Sequence, residues 1–74
     1  MDDLETAKQF FFEGLQFLEA NNFQAAEMQF ARSLELIPDR VSTLNNLSAV
    51  KIKLNKFAEA EALARQAVGL EDES

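Results

Sequence analysis

The chain matches itself at an offset of 34 residues. Asn21, Phe23, Ala26, Glu27 and Leu36 return as Asn55, Phe57, Ala60, Glu61 and Leu70. The repeated positions fall at a turn and on helical faces, where a stacked unit needs particular shapes. A unit of this length is one helical hairpin that cannot bury its apolar face alone, so copies stack and share a core. The expected fold is all-α: two stacked antiparallel helix-turn-helix hairpins forming a short α-α superhelix.

Helical spacing supports this reading along the whole chain. Leu4, Ala7, Phe10, Phe11, Gly14, Leu15, Phe17 and Leu18 follow a three-and-four rhythm and predict a helix over about 4–20, with Asp2 and Asp3 placed where acids favour its start. Asn21-Asn22 interrupts that rhythm with residues that tolerate left-handed geometry, and Phe23 restarts it. A second helix carries Ala26, Phe30, Ser33, Leu34 and Ile37 up to Pro38, which stops it and biases Ile37 toward extended backbone. Asp39 is placed to cap a third helix, about 40–54. Asn55-Lys56 is the equivalent turn, and a fourth helix is expected over about 58–68, with Glu61 and Arg65 as an i,i+4 pair and Gly69 as its stop. Glu71-Asp72-Glu73-Ser74 reads as a frayed, solvated tail.

Seventy-four residues limit the chain to one small domain, near the lower end of what stays folded without support from a neighbour. No apolar run approaches the ~20 residues needed to cross a bilayer. The acidic start, Met1-Asp2-Asp3-Leu4-Glu5, does not resemble a secretory signal, and the absence of Cys fits a reducing compartment, so the cytoplasm is expected. Net charge is −6, and all of that excess lies before residue 40. Nucleic-acid affinity rests on cations neutralising phosphates, so DNA and RNA are poor partners for this chain. Lys51, Lys53 and Lys56 form the one basic cluster and read as a solvated face beside a turn. With no His, no Cys and two isolated glycines, the sequence offers no general base, no thiol nucleophile and no phosphate loop. Neither catalysis, nor a cofactor, nor a metal is expected.

The run Phe10-x-x-Glu13-Gly14-x-x-Phe17, followed by Ala26, Phe30, Ser33 and Pro38, resembles the tetratricopeptide repeat. Leu44, Leu47, Ser48, Lys51, Ala60, Ala64 and Ala67 form a second, weaker copy. The copies span about 7–40 and 41–74. Departures are Glu13 at an aliphatic position, Lys51 and Ala64 at aromatic ones, and Asp72 at the closing Pro. Small residues at Gly14, Ala26, Ser33, Ser48, Ala60 and Ala67 have a physical role, because two helix backbones cannot nest where a long side chain stands between them.

The resemblance implies a protein-binding module, in which the first helix of each hairpin lines a concave groove for a partner segment. The matching positions here are Lys8, Phe11, Leu15, Leu18 and Glu19 in the first copy, and Ser42, Asn45, Asn46, Ala49, Ile52 and Lys53 in the second. Phe11, Leu15 and Leu18 share one helical face, and either line that groove or complete the core. Successive helical residues are about 100° apart, so at least one of Phe10, Phe11 and Phe12 is expected to be exposed or covered by another chain. One subclass of the family grips acidic chaperone tails with Lys, Asn and Arg. Only Asn46 matches that clamp, and without the cations a terminal carboxylate has no charge-assisted anchor. An apolar and amide-lined groove suits a segment with apolar anchors instead.

Stacks generally need three units and a polar end. Two units without a cap would leave some of Leu63, Ala64, Ala67 and Val68 facing solvent, at about 1.5–3 kcal/mol for each large aliphatic. Three expectations follow: a homo-oligomer formed through the uncapped last helix; a segment of a longer protein that positions an adjacent enzyme domain such as a transferase; or a purely structural oligomerisation unit.

Overall fold

The computed structural model describes the backbone of residues 2–73 and the side chains through Glu71. Four helices follow in chain order: α1 (Asp3–Glu19), α2 (Phe23–Leu36), α3 (Val41–Lys53) and α4 (Phe57–Glu73). No strand occurs among the described residues. Each helix packs on the next, α1 on α2, α2 on α3 and α3 on α4, giving two hairpins joined across α2 and α3. Among the described residues no helix is long and apolar enough to cross a membrane.

Both hairpin turns are built alike. Asn21 and Asn55 take left-handed backbone, φ 59° and 62°. After α1 the Asn22 N–H donates to Phe17 O (2.9 Å) and the Asn21 N–H to Leu18 O (3.0 Å); after α3, Lys56 donates to Lys51 O (2.8 Å) and Asn55 to Ile52 O (3.0 Å). This paired pattern closes a helix when the residue after the cap can adopt positive φ, and Asn is the non-glycine residue best suited to it. Asn22 then begins the next helix, its Oδ1 accepting from the Ala25 N–H at 3.3 Å. At the chain start Asp2 accepts from the Leu4 N–H in the same way, at 3.0 Å.

Two expected boundaries move. Arg40, not Asp39, is the N-cap of α3, and no side chain caps that helix. Ile37 leaves helical backbone before Pro38, at φ −131° and ψ 87°, and the helical hydrogen bonds of α3 begin at Arg40 O, which accepts from Thr43 and Leu44. Asp39 therefore stands one residue too early to serve as the cap. Gly69 does not end α4, which continues to Glu73. Gly69 has no positive φ, and one glycine costs a helix only about 1 kcal/mol when the flanking residues favour continuation. Glu71 is exposed, whereas Ser74 and the side chains of Asp72 and Glu73 lie outside the described residues.

The small residues sit where helices touch. Ala7, Ala26, Ala60 and Ala67 are buried together with Phe30, Leu44, Leu47 and Val50. A Cβ built on Gly14 would lie 2.6 Å from Cε1 of Phe30, closer than real atoms approach, so α1 and α2 nest only because that position is glycine. The buried Ser33 hydroxyl donates to Ala7 O across α1 and α2, and Ser48 donates to Ala60 O across α3 and α4, both at 2.8 Å. Of the three consecutive phenylalanines, Phe12 is the exposed one, at 59%. On α4, Ala67 is buried, Leu63 and Ala64 are half-buried, and Val68 is the large aliphatic left facing solvent.

Candidate functional site

The residues expected to line a groove divide by helix. On α3, Ser42, Asn45, Ala49, Ile52 and Lys53 are exposed and follow helical spacing along one face. Asn46, half-buried beside them, spends one amide proton on Ser42 O at 2.8 Å and keeps its carbonyl oxygen as an acceptor. On α1, Lys8, Phe11, Leu15 and Leu18 are all half-buried, and Glu19 is exposed.

Phe11, Leu15 and Leu18 pack against the buried cluster of Ala26, Phe30, Leu47 and Val50, so they are the rim of the core as well as a surface. The Phe11 ring stands 5.6 Å from that of Phe30, and the Arg40 guanidinium lies 5.4 Å above it. Nothing in the sequence marks Arg40 for this position. As the N-cap of α3 it ends up against Phe11, and its buried Nη1 has no hydrogen-bond partner among the described residues. The face between α1 and α3 thus combines a half-covered apolar row, an amide-bearing row and an arginine.

A second feature lies elsewhere. A hollow of about 560 Å³ is lined by Gln24, Glu27, Met28, Ala31, Lys51, Leu54 and Lys56, none of which was expected in the groove. An ion-pair network forms part of its wall. Glu27 Oε2 accepts from Lys51 Nζ at 2.7 Å and from Lys56 Nζ at 2.8 Å, and Lys51 also donates to Glu59 Oε1 at 2.8 Å. Glu27 and Lys51 are largely covered, with 19% and 14% of their side chains exposed. The hydrogen bonds from Lys51 and then Lys56 hold the Glu27 carboxyl below its ordinary value against the opposing effect of burial. Burial alone would lower Lys51, but its bonds to Glu27 and Glu59 outweigh it and hold the ammonium above its ordinary value. Two of the three lysines in the basic cluster are therefore neutralised at the joint between hairpins. Lys53 faces solvent on the α3 stripe.

This network explains why Lys51 occupies a position where the first hairpin has Phe17. Its aliphatic stem can cover apolar surface while its charge reaches Glu27. The lysine spacing was visible in the sequence, but the partner, 24 positions away on α2, was not.

No protein-family model matches the chain, and no solved structure matches it. Over 55 residues it is 38% identical to cellulose synthase operon protein C of Xanthomonas axonopodis pv. citri (strain 306), a match covering 74% of this chain. The chain spans about 4% of the length of that relative.

Proposed function

We propose that the chain is a non-catalytic protein-interaction module of the tetratricopeptide kind, which receives a partner segment on the face between α1 and α3. The observation that carries this reading is the exposed α3 row of Asn45, Ala49, Ile52 and Lys53 beside the apolar α1 row of Phe11, Leu15 and Leu18. A small residue at the centre of the α3 row admits a partner backbone. Asn45 and Asn46 offer amides to it, and Ile52 and Phe11 supply apolar contact. The Arg40 guanidinium, stacked over the Phe11 ring, borders the same face. A sequence without His or Cys supports a binding role over catalysis, and the absence of Cys suits the cytoplasm.

A second reading is favoured by the relative, of which this chain matches only a small share: the hairpins act as part of a longer polypeptide and position a neighbouring enzyme domain. Because that relative is named for a cellulose synthase operon, a glycan-polymerising transferase is the class of enzyme this reading would place nearby.

A pull-down from native extract tests the first reading. Ala49→Glu and Ile52→Asp both alter exposed positions and leave the core untouched. Loss of the same bound protein from both variants, with unchanged circular dichroism, is the expected result. Retention of every bound protein by both would overturn the α1/α3 face as the binding surface.

A further inference from the structure

The joint between α2 and α3 is held in unlike ways at its two ends. At one end the chain itself is the tether: α2 stops at Leu36 and α3 starts at Val41, so residues 37–40 alone connect them. Ile37 lies outside helical geometry there, and no side chain caps the start of α3. A short connection between element ends is where backbone angles change when packed helices swing. At the other end the tie is ionic. Glu27, near the start of α2, accepts on one oxygen, Oε2, from Lys51 in the last turn of α3 and from Lys56 in the turn that follows. Lys51 also holds Glu59 of α4, so a single ammonium ties three helices. At 1.5 Å per residue, it stands about 15 Å along α3 from Val41.

Apolar packing does not close this ionic end. The hollow of about 560 Å³ opens here between α2 and the end of α3, with Met28 exposed on one side and Leu54 half-buried on the other. Of the three successive helix contacts, that of α2 with α3 is also the least extensive. Apolar contact is non-directional and lets helices slide over one another. Two charge-assisted bonds converging on one carboxylate oxygen from separate points of the chain fix a direction instead.

We infer that Glu27 is an ionic latch between the hairpins. While Lys51 and Lys56 hold its carboxylate, the two hairpins keep one orientation; when they lose it, α3 and α4 swing from α2 about residues 37–40. The displacement is largest at the latch end and smallest at the tether. Because the rows on α1 and α3 belong to different hairpins, the swing changes the width of the face between them. Its consequence for a partner rests on the proposed binding face, whereas the swing itself does not.

The test is a spin-label distance measurement by electron paramagnetic resonance on the full chain, which has no cysteine of its own. One labelled pair, Glu19→Cys with Lys53→Cys, spans the latch end, and another, Gln9→Cys with Ser42→Cys, spans the tether end; all four positions are exposed. Glu27→Lys, where attraction becomes repulsion, should at least about double the width of the latch-end distance distribution and leave the tether-end one unchanged. Lys56→Ala, which removes one of the two cations at an exposed turn, should give a smaller change at the same end. Glu61→Gln, which breaks the exposed pair with Arg65 on α4, should give none. Latch-end distances unchanged in both Glu27→Lys and Lys56→Ala would overturn the inference. So would equal broadening at both ends, which would make the network a general support of the fold and not a latch.

Discussion

Gly14 faces the ring of Phe30 so closely that a methyl group on Gly14 would stand 2.6, 2.7 and 2.9 Å from three of its carbons. The ring is fully buried and cannot swing away. Gly14→Ala should therefore destabilise the fold by about 1–3 kcal/mol through overpacking, even though alanine favours a helix by about 1 kcal/mol. Gly69→Ala should have the opposite sign. Among the described residues nothing lies within 4 Å of its would-be Cβ, and its backbone is helical, so a gain of about 0.5–1 kcal/mol is expected. Urea denaturation of both variants checks the contrast.

The two buried hydroxyls make matching bonds, Ser33 to Ala7 O and Ser48 to Ala60 O. Replacing either serine with alanine keeps the close approach but leaves a buried carbonyl short of one donor. Each substitution should cost about 1 kcal/mol, measured by thermal unfolding, and the two costs should add, because they lie in different hairpins.

Much of this architecture could be read from the residues, because period and shape are local properties. Gly14, Ala26 and Ser33 announce helix contacts by their size, and Asn21 and Asn55 announce turns by their tolerance of positive φ. What could not be read depends on which side chains meet across hairpins. Glu27 and Lys51 form a pair only once α2 lies on α3. Phe11 becomes rim rather than open groove only because Phe30 stands behind it and Arg40 above. The displaced cap at Arg40 and the helix that runs through Gly69 turn on one-residue choices that propensities leave undecided.

Both turns hold an asparagine at φ near 60°. Asn21→Gly and Asn55→Gly should be tolerated with little change in stability, since glycine visits this region freely. Asn21→Val should cost about 1–2 kcal/mol and loosen the first hairpin, because a β-branched residue is strained there. Hydrogen exchange at Ala20, Asn21 and Asn22 would register the loss locally.

The joint between hairpins makes stability depend on pH at both ends. Glu27 lies below its ordinary value, so its contribution is complete above the unfolded carboxylate value of 4.5 and is lost as pH falls through the lower folded value. Lys51 lies above its ordinary value, so its contribution is complete below 10.5 and is lost as pH rises through the higher folded value. Glu27→Gln should cost about 1–3 kcal/mol at pH 7 by leaving Lys51 poorly paired. Melting temperatures from pH 2 to pH 7 should fall less steeply toward acid in that variant than in the parent chain.

Small side chains let paired helices nest, once in each repeated hairpin. The nuclear Overhauser spectrum of the full chain tests it most directly at the tightest contact. Strong cross-peaks between the Gly14 α-protons and the Phe30 ring protons are predicted. A Gly14 whose only cross-peaks come from its own helix would contradict the account.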